Sequence, residues 1–160
     1  MVTSLNADSA ADAVIVLTRL YDAPRALVWE AITDPGHVAQ WYGGEGFSSP
    51  VCDMDVRVGG HWNHIMRAPN GMEFPVNSVF LEVVPPERLV WTAADAEAAA
   101  ASGKPVNVTT VTLEDRGAQT FWTMEARFGS LADRDLAVRM GFGNIVSQGS
   151  ERIAALLARL

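Results

Sequence analysis

The chain has 160 residues, 49% of them hydrophobic and 19% charged, so it reads as one globular domain able to enclose a pocket, not as a disordered segment. A formal net charge of -7, with basic residues scattered along the chain, excludes nucleic acid and anionic membrane as main partners, because neutralising phosphate needs clustered Lys and Arg. The single cysteine, Cys52, excludes an internal disulfide, and the lack of a leader or of an apolar run of spanning length points to the cytoplasm.

Residues 1–11 are small and polar without periodicity and are expected to be a disordered tail, followed by a single domain over 12–160. Ala13 to Tyr21 is rich in Val, Ile, Leu and Thr and predicts a strand. Asp22-Ala23-Pro24 opens a first short helix with Leu27, Val28, Ala31 and Ile32 as its apolar stripe. Asp34-Pro35 opens a second, which ends at Trp41-Tyr42 before Gly43-Gly44. From Phe47 the period becomes two. Cys52, Met54, Val56 and Val58 alternate with Asp53, Asp55 and Arg57, which predicts a strand with one wet face.

Gly59-Gly60 turns the chain into a strand over 61–67, and Pro69-Asn70-Gly71 turns it again. Strands follow over about 73–84 and 88–94, with Pro85-Pro86 between them. The Ala-rich stretch 95–105 reads as a short helix or a mobile loop. Strands over about 106–114 and 119–128 flank Asp115-Arg116-Gly117. Leu131 to Leu160 reads as one long helix, capped by Ser130, with Phe142, Val146, Gly149, Ile153, Leu156 and Leu160 as its stripe. Strand, two short helices, six strands and a long helix make an α+β meander whose sheet only the last helix can cover.

Several segments also resemble a known family. Tyr21-Asp22-Ala23-Pro24-Arg25-Ala26-Leu27-Val28-Trp29-Glu30-Ala31 is similar to the opening of the SRPBCC superfamily, in its activator of heat-shock-protein-90 ATPase homologue-like branch. Asp53 to Trp62 resembles that family's second strand and double-glycine turn, and Met66 to Gly71 its next hairpin. Pro85-Pro86-Glu87-Arg88-Leu89-Val90-Trp91-Thr92 resembles a strand start, and Arg139-Met140-Gly141-Phe142 a piece of the last helix. The resemblance runs in order over about 13–158. It implies the helix-grip fold of START-like and birch-pollen-allergen-like domains: a curved antiparallel sheet of about seven strands wrapped around a long C-terminal helix. The chain departs from the pattern at Ile145-Val146, where the family often has Gly-Trp, and at Ser150, where Leu is common. Gly149 and Ser150 are small enough to leave room for a ligand. The family includes lipid or polyketide binders, cyclases and cochaperone-type domains, so the fold does not name a substrate.

His61 and His64 fall on opposite strand faces and cannot share a metal, so no metal site is expected. His64 shares its face with Trp62 and Met66. It is the candidate acid/base if the cavity is catalytic, and otherwise a core histidine satisfied by a backbone group. Asp53 and Asp55 beside Arg57 read as a solvated face with local charge pairing, and Cys52 as a structural thiol. Nucleophile elbows, phosphate loops and zinc-protease motifs are absent, and no cofactor is expected.

The expected function is binding of a small apolar, lipid-, aromatic- or polyketide-like molecule between the sheet and the last helix. Its expected contacts are Trp41, Trp62, His64, Met66, Trp91, Trp122, Met124, Met140 and Phe142, with Asn77 and His64 orienting polar groups. A cyclase or dehydrase using His64 is the enzymatic alternative. A cochaperone-like domain is the third, and a homodimer is left open.

Overall fold

The computed structural model describes residues 2–5, 13–103 and 106–160. In chain order the elements are β1 (Val2–Leu5), β2 (Val14–Tyr21), α1 (Arg25–Thr33), α2 (Pro35–Trp41), β3 (Ser48–Met54), β4 (His61–Arg67) and β5 (Glu73–Val84). They continue with β6 (Arg88–Ala93), α3 (Ala96–Ala101), β7 (Val108–Arg116), β8 (Gln119–Arg127), α4 (Leu131–Arg139) and α5 (Phe142–Leu157). The strands form one antiparallel sheet in the order β1-β2-β8-β7-β6-β5-β4-β3. Consecutive pairing keeps β3 to β8 in sequence, through short turns except between β6 and β7, where α3 intervenes. The α1–α2 connection carries the chain from β2 to the far edge at β3, which gives the helix-grip arrangement expected.

Val2–Leu5 pairs with β2 through Val2↔Thr18 and Leu5↔Ile15, where the sequence reads a tail. The reason is the unpaired outer edge of β2, whose backbone groups the segment satisfies. The rest of that stretch, residues 1 and 6–11, lies outside the described residues.

Local chemistry sets the helix starts. Pro24 precedes α1 in an extended conformation. Asp34 caps α2: its Oδ1 accepts from the amides of Gly36 at 2.9 Å and His37 at 3.2 Å, with Pro35 in the first turn. Ser130 Oγ accepts from Asp133 N–H at 3.1 Å and opens α4.

Two expected elements are shorter than the sequence suggests. The strand read to Val58 ends at Met54, because residues 55–60 coil into a turn closed by Arg57 N–H to Asp55 O and Gly60 N–H to Arg57 O. A Cβ on Gly60 would lie 1.9 Å from the Asp55 carbonyl oxygen, so this turn requires glycine. The single long helix is two, α4 and α5, because Gly141 adopts φ 84°, a left-handed conformation that ends one helix before the next begins.

Inside the sheet, Gly149, Ser150, Ile153, Leu156 and Leu157 of α5 are buried. Ile153, Leu156 and Leu157 join Ile15, Leu17, Tyr21, Val28, Ile32, Leu113 and Trp122 in the main core. A second cluster of Val38, Trp62, Phe80 and Leu89 fills the β4–β6 end. Strand alternation turns Ser78 and Phe80 inward and Leu81 to solvent, and the pairing with β6 shifts register just beyond Phe80.

Candidate functional site

Between the two clusters lies a cavity of about 330 Å³. Strands β4, β6, β7 and β8 supply one wall, α5 the other, and the residues following α2 close one end. Seven of the ten residues expected at a ligand line it: Trp41, Trp62, Met66, Trp91, Trp122, Met124 and Phe142. The strand alternation that places Trp62 and Met66 inward on β4, and Trp122 and Met124 on β8, explains why these were readable. Around Trp62 the aromatic rings form a continuous surface, with Tyr42 at 5.3 Å, Trp91 at 5.2 Å and Phe80 stacked at 6.0 Å.

Three expected residues are not in the lining. Asn77 is exposed, because Ser78 and Phe80 take the inward positions of β5. Met140 is 74% exposed, since the break at Gly141 turns the end of α4 outward. His64 is buried, but Tyr42 stands where His64 was expected: its ring lies on the imidazole at 4.3 Å and Tyr42 borders the cavity.

The hydrogen bonds of His64 define its chemistry. The Trp62 indole N–H donates to Nδ1 at 3.2 Å, so the ring proton resides on Nε2, which lies 2.8 Å from Ser49 Oγ and donates to it. Burial pushes the His64 pKa down to about 4. A base for Ser49 would need a lone pair on Nε2, and that atom carries the proton. The pair is therefore a packed polar contact rather than a nucleophile and its base.

The lining carries no charged side chain. Its polar side-chain groups are the hydroxyls of Tyr42, Thr109 and Ser150 and the indole N–H groups of its tryptophans, of which Trp41 donates to the Ala31 carbonyl at 2.8 Å and Trp62 to His64. Ser150 Oγ lies 2.9 Å from the Tyr21 hydroxyl, which also donates to the Ser150 carbonyl at 3.3 Å. Burial raises the Tyr21 pKa and pushes that of Tyr42 up to about 12, so both stay neutral. Cations nearby are engaged elsewhere. Arg152 donates to the carbonyls of Gln40 at 2.6 Å, Tyr42 at 3.3 Å and Gly44 at 3.2 Å. Arg19 pairs with Glu151. Gln148 Oε1 accepts from Glu45 N–H at 2.8 Å, so α5 holds the 42–45 segment at two points.

Away from the cavity, Arg57 binds Asp55 at 2.6 Å and His61 lies 3.0 Å from Asp53, the local pairing expected of that face. Burial, and then the neighbouring Asp53, push the half-buried Cys52 thiol up to about 11. Among the described residues no group of three or more His, Cys, Asp or Glu side chains is placed to hold a metal, and no helix is long and apolar enough to cross a membrane.

Sequence reasoning missed Tyr42, Thr109 and Val111 in the lining. The position of Tyr42 directly after Trp41 was an available signal. Gly149 and Ser150, singled out as small, do line the cavity.

Residues 22–160 match the model of the family described as "Activator of Hsp90 ATPase homolog 1-like protein". No curated protein matches the chain. Among solved structures, a Nitrosomonas europaea protein is 27% identical, with 91% of this chain and 94% of that one covered and a TM-score of 0.82. A Chromobacterium violaceum protein is 28% identical, with 91% and 96% covered and a TM-score of 0.72. A Mycobacterium smegmatis protein shares the fold at 21% identity, with 99% and 98% covered and a TM-score of 0.83.

Proposed function

The chain belongs to the activator of Hsp90 ATPase homolog 1-like family, and from that premise we propose that it binds a small apolar, ring-containing molecule in the cavity between its sheet and α5. The observation that carries this reading is an uncharged, aromatic-lined cavity of about 330 Å³ between the sheet and α5. A void of that size leaves dispersion contacts unmade, and a ligand restores them.

Catalysis through His64 is not favoured, because its Nδ1 and Nε2 are both engaged and it does not border the cavity. A chaperone partner, which the family description raises, has one supporting feature. Leu136, Met140 and Ile145 stand exposed around the α4–α5 junction, an apolar surface of the kind that partners cover.

Native mass spectrometry of freshly purified protein, followed by titration with isopropylnaphthalene, tests the ligand reading. Trp41, Trp62, Trp91 and Trp122 border the cavity, so saturable binding is expected to change tryptophan emission. A clean apo mass with no response at any concentration overturns the proposal. A pull-down with an Hsp90-type chaperone then tests the other reading.

A further inference from the structure

We propose that the cavity selects uncharged ligands bearing a hydrogen-bond acceptor, and that the Ser150 hydroxyl is the group that reads the acceptor. This rests on the ligand-binding reading above and adds a chemical class to it.

The first ground is electrostatic. A carboxylate in this cavity would lose its hydration and find no cation, since the lining has no charged side chain. Arg152, two residues beyond Ser150 on α5, is the nearest candidate along the helix, but its guanidinium is held by the carbonyls of Gln40, Tyr42 and Gly44. Freeing it would undo the closure of the 42–45 segment. Arg19 is likewise engaged by Glu151.

The second ground is the geometry at Ser150. A serine inside a helix commonly turns its hydroxyl back to the carbonyl four residues earlier. Here Ser150 Oγ has the Tyr21 hydroxyl as its partner instead. Tyr21 has two acceptors on the same residue, Oγ at 2.9 Å and the carbonyl at 3.3 Å. The serine proton can therefore turn to a ligand while Tyr21 remains hydrogen-bonded. Tyr42 adds a second neutral hydroxyl to the lining, one with no hydrogen-bond partner among the described residues. With Thr109 the lining holds three neutral O–H groups in an otherwise apolar wall, which suit a ketone, ester or ether oxygen. They do not compensate an anion.

Three probes of nearly equal shape separate the outcomes: acetylnaphthalene, isopropylnaphthalene and naphthoate, titrated at pH 7 by tryptophan fluorescence. The ketone is expected to bind roughly two- to tenfold more tightly than the hydrocarbon, the range of one net hydrogen bond. The carboxylate is expected to be at least about tenfold weaker than the ketone. In Ser150→Ala the ketone-to-hydrocarbon ratio is expected to fall toward one. Tyr42→Phe reports the share of the second hydroxyl in the same ratio, and near-ultraviolet circular dichroism verifies that each variant is folded. Binding of naphthoate as tight as that of the ketone, or a ratio unchanged in Ser150→Ala, overturns the selectivity and leaves the cavity reading standing. Failure of all three probes overturns the cavity reading and this one with it.

Discussion

The indole N–H of Trp62 donates to Nδ1 of His64 at 3.2 Å, two positions along the same strand, and this single bond fixes the imidazole as its neutral Nε2–H tautomer. Protonating His64 would force Nδ1 to become a donor facing a donor. Burial holds the folded-state pKa of the ring down at about 4, whereas the unfolded chain takes up a proton near 6.5. A depressed histidine pKa contributes stability that is present above 6.5 and lost as pH falls toward 4. The loss expected from this group is up to about 3 kcal/mol, less to the extent that solvent screens the ring. Urea denaturation between pH 7 and 4 checks it. In His64→Gln the stability is expected to fall less steeply over that window, and an equal slope would show that other groups account for it.

Arg152 closes one end of the cavity by donating to three carbonyls at the end of α2 and just beyond it. The Gly44 carbonyl also accepts from Phe47 N–H at 3.1 Å, so Arg152 ties α5 to a segment that is already partly bonded within itself. Arg152→Ala is expected to lower stability by about 2 kcal/mol, reduced from the full value for charged hydrogen bonds because the site is partly wet. Faster amide exchange at residues 42–45 is the specific sign. Arg152→Lys is expected to recover only part of the loss, because an ammonium cannot span the three oxygens as a guanidinium fork does.

Much of the fold was legible in the sequence, because Trp62, Met66, Trp122 and Met124 follow a period-two pattern that only one face can satisfy. The misread positions share a cause: each depends on contacts remote in sequence. Nothing local in Arg139-Met140-Gly141-Phe142 separates a glycine inside a helix from one at φ 84°. Asn77 faces outward because the register of β5 is set by its pairing with β4, where Asn77 lies opposite Asn63, and no pattern within β5 reports that pairing. His64 was assigned correctly to the inner face, but the chain after α2 brings Tyr42 across it, and no pattern within β4 reports that.

Gly149 and Gly60 give opposite answers to the same substitution. A Cβ on Gly149 would meet Trp41 O at 3.6 Å and Gly43 O at 3.7 Å, ordinary contact distances, in the middle of a helix. Gly149→Ala is expected to stabilise by about 0.5–1 kcal/mol through helix propensity. Gly60→Ala meets backbone at 1.9 Å and is expected to cost more than about 2 kcal/mol, since the whole β3–β4 turn must shift. Thermal unfolding of the two variants side by side measures both signs.

Ser150→Leu separates a binding cavity from a loosely packed core. The resemblance to the family implies that Leu is common at this position; Ser150 belongs to the cavity lining but is only 1% exposed and its Oγ faces Tyr21, so an isobutyl group must turn its carbons away from Tyr21 and into the cavity. Tyr21 would lose the serine Oγ as a partner but keep the main-chain carbonyl at that position, which accepts from it at 3.3 Å. The lost polar contact, about 1 kcal/mol, is offset by new apolar burial of similar or larger size. Stability is therefore expected to hold or rise slightly. Binding of isopropylnaphthalene is expected to weaken severely, because the added carbons occupy the volume the probe needs. If the variant binds the probe as well as the parent, the ligand site lies elsewhere, and if it unfolds, the cavity wall is less accommodating than its geometry indicates.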